Sequence, residues 1–183
     1  MKFKNLLLAF FVFFIFNACS DDKKVEDSNA TINASLSQGE KLNFELKFLN
    51  GELLNIKAEA GKLEFRTNNK ATLFVFFTTW CAPCLAEIPE LNKMQEKYKD
   101  KFNIIGILLE DKEQNELDEF LAKYPINYQI ANGENNYLFA RAVGGINGIP
   151  TMFLYTKKGE LFNQYLGVIA PEMLDIEISK AVF

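Results

Sequence analysis

The sequence contains no histidine. That absence removes imidazole acid–base catalysis, histidine-ligated haem and every zinc site built on an imidazole. Any proton chemistry is left to Glu, Asp, Lys, Tyr or Cys. Cysteine is scarce as well: Cys19, Cys81 and Cys84 are the only three, one short of an all-thiolate zinc site, so no metal is expected. No stripe of Lys or Arg appears along the chain and the net charge is −4, so no nucleic-acid partner is expected. Neither a repeat nor a glycine- or proline-rich stretch argues for a solenoid or a disordered chain. What remains is ordinary globular composition, 49% apolar and 24% charged, in 183 residues. That length suits one domain with a full core, plus a leader.

Lys2 and Lys4 precede an apolar run from Leu6 to Phe16. The run is shorter than the ~20 residues of a spanning helix but suits the core of a signal peptide. It ends at Asn17-Ala18-Cys19-Ser20, which resembles the lipobox of bacterial lipoproteins, where the cysteine becomes the lipidated first residue. Phe16 and Asn17 depart from that pattern. An uncleaved signal anchor, or cleavage that leaves Cys19 a free thiol, are the alternatives. Residues 1–18 are thus read as a lipoprotein signal peptide, 19–40 as a polar flexible tether and 41–183 as the folded domain. Without Lys2 and Lys4, 18 basic residues face 24 acidic ones, a net of −6.

Within the domain, Phe44 to Phe48 alternates apolar and polar, Asn50-Gly51 signals a hairpin, and Leu53 to Ile56 returns as its partner. Thr72 to Thr78 is the continuous β-rich apolar run of a strand buried on both faces. A helix is predicted from the Cys81 motif to about Tyr98, with a kink at Pro89. Asn103 to Leu109 reads as a second buried strand, Glu113 to Lys123 as a helix, Tyr128 to Ile130 as a short strand and Glu134 to Val143 as a helix. Thr151 to Tyr155 and Leu161 to Leu166 form a hairpin about Lys158-Gly159, and a last helix covers Pro171 to Ala181. This order predicts an α/β fold: a mixed sheet with helices on both faces and a strand hairpin in front of it.

Trp80-Cys81-Ala82-Pro83-Cys84 falls at the junction between the first buried strand and its helix. There the unpaired amides and dipole of the helix start favour a thiolate at Cys81, with Cys84 one turn inside. A thiolate so placed opens a partner disulfide, and Cys84 then resolves the mixed disulfide. Pro83 sits where a missing N–H costs nothing. Three other readings stay open at this point. One is a zinc ligand pair, for which no companion ligands exist, and another is a purely structural disulfide. The third is a peroxidase suggested by Thr78 three residues before Cys81, although Phe74 stands where that motif has proline.

Together with Glu87, Pro89, Gly148-Ile149-Pro150-Thr151 and Lys158-Gly159, the motif resembles the TlpA/ResA/CcmG branch of the thioredoxin superfamily over roughly residues 40 to 183. The resemblance implies a thioredoxin-like fold with an inserted helical stretch between Glu110 and Ala142, and a cis bond at Ile149-Pro150 beside the cysteines. It also implies dithiol–disulfide exchange at the cell envelope, with no cofactor beyond the Cys81–Cys84 pair. The implied partners are disulfide-containing envelope proteins, apocytochrome c among them, and a membrane electron donor of the DsbD or CcdA type. Trp80, Pro83, Ile149 and Pro150 become the expected substrate-binding residues. Oxidase or isomerase activity, and a non-catalytic binding module, are the competing functions.

Glu87 is the remaining candidate. At ~100° per residue it projects into the face formed by Ile88, Leu91, Met94 and Tyr98, about 60° from Cys84. A carboxyl held there would have a raised pKa and could exchange a proton with Cys84. Relatives of the ResA type are thought to use a glutamate three after the second cysteine in this way. Val75 occupies the place of thioredoxin's own buried aspartate. The plainer alternative is a solvated helix residue.

Overall fold

The unbroken apolar run Ala71–Phe77 (β4) is buried at all seven positions, because it is the middle strand of a five-stranded sheet covered on both faces. The computed structural model describes residues 40–183; the signal peptide, Cys19 and all but the end of the proposed tether lie outside the described residues. Three strands precede β4: β1 (Lys41–Lys47), β2 (Leu53–Glu59) and β3 (Lys62–Glu64), which form a separate antiparallel sheet. After β4 come α1 (Ala82–Tyr98), β5 (Phe102–Leu108), α2 (Gln114–Lys123) and β6 (Gln129–Ala131). Then follow α3 (Asn135–Ala142), β7 (Thr151–Tyr155), β8 (Leu161–Leu166) and α4 (Pro171–Val182). The sheet order is β6-β5-β4-β7-β8. β5 and β6 run parallel to their neighbours, while β7 and β8 run antiparallel to theirs.

Alternation along β4 divides the core. Leu73 and Val75 join Leu91 and Met94 of α1 and Leu174 and Ile178 of α4. Phe74 and Phe76 point the other way, onto Phe139 of α3 and the inner face of the small sheet, including Leu46 and Ile56. Phe74 meets Phe139 edge to face at 4.8 Å, a favourable arrangement of ring quadrupoles. The mixed sheet flanked by helices, with the hairpin ahead of it, agrees with the expectation. The β1–β2 hairpin closes through Phe48 to Glu52, and its end is pinned to the large sheet where Leu49 N–H donates to Ile130 O at 3.0 Å. β3 was not expected. It follows β2 through the two-residue turn Ala60-Gly61, both at positive φ (49° and 77°), and an alanine in that conformation gives no sequence signal.

Candidate active site

β4 hands its chain to α1 through Thr78, Thr79 and Trp80, and this junction sets the cysteine geometry. Cys81 is the N-cap, with φ −75° and ψ 98°, so the helix opens directly beneath it. Its Sγ accepts the Cys84 N–H at 3.2 Å, one of the amides a helix start leaves without an internal partner. Cys81 and Cys84 form a disulfide with a Cα separation of 5.2 Å. Both residues are only 4% exposed, whereas Trp80 beside them is 71% exposed. Pro83 lies in the first turn of α1 and faces solvent.

The strand after the helix steadies that junction. Leu109 N–H donates to Phe77 O at 2.9 Å, and the Thr79 N–H donates to a carboxylate oxygen of Glu110. Gly106 of β5 has a steric duty here. A Cβ on it would lie 3.0 Å from Phe77 Cε1 and 3.4 Å from Tyr128 Cε2. Any larger residue would crowd the Phe77 ring, which packs into the cluster that contains both cysteines.

The Ile149–Pro150 peptide is cis, as the resemblance implied. Ile149 packs against the cluster that holds Cys81 and Cys84, and the neighbouring loop is tied in from both sides. Thr151 Oγ1 donates to Gly148 O at 2.6 Å, and Gly167 N–H donates to Pro150 O at 2.8 Å. The second bond sets Leu166 and Val168, both strongly exposed, on the rim beside the cis bond.

Glu87 is on the buried face of α1, three residues after Cys84, where the helical projection put it. It is 6% exposed. Its Oε1 accepts the Ile169 N–H at 2.9 Å, and its Oε2 is buried with no hydrogen-bond partner among the described residues. Burial pushes the carboxyl up to about 7, against the downward pull of the Ile169 amide. The Tyr128 hydroxyl is held above its ordinary value, first by burial and then by the charge of Glu87. Val75 of β4, where thioredoxin has its own buried acid, is buried and apolar. Gln95, the other polar residue on that face, is absorbed by backbone: its Oε1 accepts the Ile104 N–H at 2.6 Å.

The structure thus gathers Cys81, Cys84, Trp80, Pro83, Ile149, Pro150 and Glu87 around one disulfide. Sequence reasoning missed Glu110, Tyr128, Ile169, Leu166 and Val168. They reach the site from the segments after β5, before β6 and at the end of β8 with the loop that follows it, and no motif spacing marks them.

Comparison with known proteins places this geometry. The family described as Thioredoxin-like matches residues 68–161, more than half of the chain. Thiol-disulfide oxidoreductase ResA of Bacillus anthracis is 28% identical over 138 residues, 75% of this chain and 74% of that protein. Sporulation thiol-disulfide oxidoreductase A of Bacillus subtilis is 26% identical over 134 residues, 72% of this chain and 74% of that protein. Among solved structures, StoA from Bacillus subtilis aligns with a TM-score of 0.57 at 22% identity, over 76% of this chain and 98% of that one, and shares the fold.

Proposed function

The chain belongs to the thioredoxin-like family and is a thiol–disulfide oxidoreductase; from that premise we propose that it reduces disulfides of cell-envelope proteins through Cys81 and Cys84. The observation that carries this reading is the disulfide at the N-cap of α1, with a buried titrating carboxyl on the same helix face.

In the dithiol state the helix start and the Cys84 N–H favour a thiolate at Cys81. That thiolate attacks one sulfur of the partner disulfide. The partner S–S bond breaks, a mixed disulfide forms, and the departing partner sulfur takes up a proton. Cys84 then loses its proton to the Glu87 carboxylate and attacks Cys81 Sγ. This step breaks the mixed disulfide and restores the Cys81–Cys84 bond, and the second partner sulfur leaves as a thiolate that takes up the proton released from Glu87. Two electrons have passed to the partner, and a membrane dithiol protein of the DsbD or CcdA type returns them. With its pKa near 7, Glu87 carries a proton part of the time at neutral pH, which suits a group that must both accept and release one. Trp80, Pro83, Ile149 and Pro150 border the disulfide, and backbone beside the cis bond pairs with an extended stretch of partner chain. Apocytochrome c is one partner this reading admits. Cys19 carries the lipid that holds the domain at the extracytoplasmic face of the membrane.

The test is insulin-disulfide reduction by dithiothreitol with native protein and with Cys81→Ser. Acceleration by the native chain alone is expected; equal rates with both would leave only a structural disulfide. Acylation is read separately, as labelled fatty acid that Cys19→Ala removes.

A further inference from the structure

The end of the domain opposite the disulfide carries a second surface. β7 runs antiparallel to β4, with Thr72 opposite Tyr155 and Phe76 opposite Thr151. The β7–β8 turn at Lys158-Gly159 therefore lies at the start of β4, while Cys81 lies beyond its end. Seven residues of strand separate the two levels by about 20 Å. A groove of about 460 Å³ opens at that far end, between β2, β3 and the turn. Leu54, Leu63 and Phe65 contribute apolar lining, and Lys57, Arg66 and Lys158 stand around it. A second depression of about 340 Å³ shares Lys57 and Glu64 with the first and adds Lys41 and Lys62.

Among the described residues Lys41 pairs with Glu59 at 2.7 Å, while Lys57, Lys62, Arg66 and Lys158 have no ion pair. Lys157 extends the same turn. Among the described residues Glu59 and Glu64 line these depressions, Glu45 stands opposite the groove-lining Asn55 and Glu160 follows the turn; Lys41, Lys57, Lys62, Arg66, Lys157 and Lys158 outnumber them, so the end is cationic on a chain whose net charge is −4. Lys57, Lys62 and Arg66 are near one another in sequence, and the fold adds Lys41 and Lys158 to them. The chain also enters the domain here. Glu40 is held by Arg141, and Lys41 follows on the rim of the second depression. Residues 19–39 lead from that point back to Cys19.

We propose that this cationic end is a membrane-facing surface that docks on anionic phospholipid headgroups and turns the disulfide end toward its envelope-protein partners, with release from the headgroups freeing the domain to meet its membrane electron donor. The proposal rests on the reading that Cys19 anchors the chain in a membrane. Charge complementarity and the entry point of the tether favour this occupant. The anchor confines the domain near the bilayer, and attraction of basic side chains to an anionic surface adds over the charges. It decays within a Debye length, about 10 Å at 0.1 M salt, so only the end nearest the membrane feels it strongly. Leu53, half exposed on the groove's rim, can lie at the headgroup boundary.

Trp80 is the sole tryptophan and marks the disulfide end, so it reports orientation without a label. The full chain is reconstituted in phosphatidylcholine vesicles with and without phosphatidylglycerol, each carrying a dansyl headgroup acceptor. Energy transfer from Trp80 should be lower in the anionic vesicles. High salt, or the combined Lys57→Glu, Arg66→Glu and Lys158→Glu changes, should erase the difference. Equal transfer in both vesicle types, or a difference that survives charge reversal, overturns the proposal. So does loss of the difference on adding inorganic phosphate at constant ionic strength, which would mark a free-anion site. Insulin reduction by the charge-reversed chain should match native, showing that the fold is intact. Failure of the native chain in that assay sinks the oxidoreductase reading without touching this one, and absence of lipid on Cys19 sinks the anchoring premise separately.

Discussion

The two ends of the central sheet treat charge in opposite ways. At the disulfide end the Glu87 carboxyl is buried with one oxygen that has no partner among the described residues, and its proton affinity rises until it titrates near neutrality. At the far end several ammonium and guanidinium groups stand in solvent with no ion pair among the described residues, where charge is kept cheaply and acts as a field. A charge that has lost water becomes a chemical reagent, whereas one that keeps it can only attract or repel.

The largest effect expected from breaking this contrast is at the cysteines. Cys81→Ser should abolish insulin reduction, whereas Cys84→Ser should accumulate mixed disulfides with partners on non-reducing gels. Trapping by both variants alike would reverse the order of attack. Next is the buried polar support of the same end. Asn136, 1% exposed, donates to Leu108 O at 2.7 Å and Ala131 O at 2.9 Å, tying the ends of β5 and β6 together. Asn136→Ala orphans both carbonyls and should lower the urea-unfolding free energy by about 2–3 kcal/mol. A loss below ~1 kcal/mol would show that these carbonyls find other partners.

Glu87→Gln comes third, and its sign depends on pH. An ordinary glutamate titrates at 4.5 and Glu87 at about 7 in the fold, so between those values the native state holds a proton that the unfolded chain has lost. Stability therefore falls as pH rises through that window. The amide carries no such penalty. The variant should match native near pH 4 and exceed it by about 2 kcal/mol near pH 8, a figure reduced from the full shift for residual solvent access. Its thiol alkylation rate should also lose a pH step near neutrality. Parallel stability curves would return Glu87 to the ranks of ordinary helix residues. The smallest effect belongs to the far end: Lys57→Gln and Arg66→Gln should each change stability by less than about 0.5 kcal/mol and leave the pH profile unmoved. A shifted profile would couple the two ends and erase the contrast between them.

Much of the fold was legible because its signals are local. The apolar run of β4 announced a doubly covered strand, Asn50-Gly51 and Lys158-Gly159 marked turns, and the 3.6-residue period placed Glu87 on the inner face of α1. β3 was illegible because three residues carry no period and its turn puts alanine at positive φ. Glu110, Tyr128 and Ile169 were illegible for another reason: each meets the site across a tertiary contact that no spacing records.

The sequence alone determined the chemistry available: no histidine, one Cys-x-x-Cys at a strand-to-helix junction, and a carboxyl three residues on, all within a few turns of one helix. Tertiary structure decided what those groups experience. Packing of α1 and the Ile169 loop around Glu87 strips its water and raises its pKa, and pairing of β7 with β4 brings the cis bond beside the cysteines. The same antiparallel pairing carries Lys158 to Lys57 and Arg66 at the other end. Helix period and junction position are properties of neighbouring residues, whereas desolvation and the gathering of distant charges exist only once the chain has closed on itself.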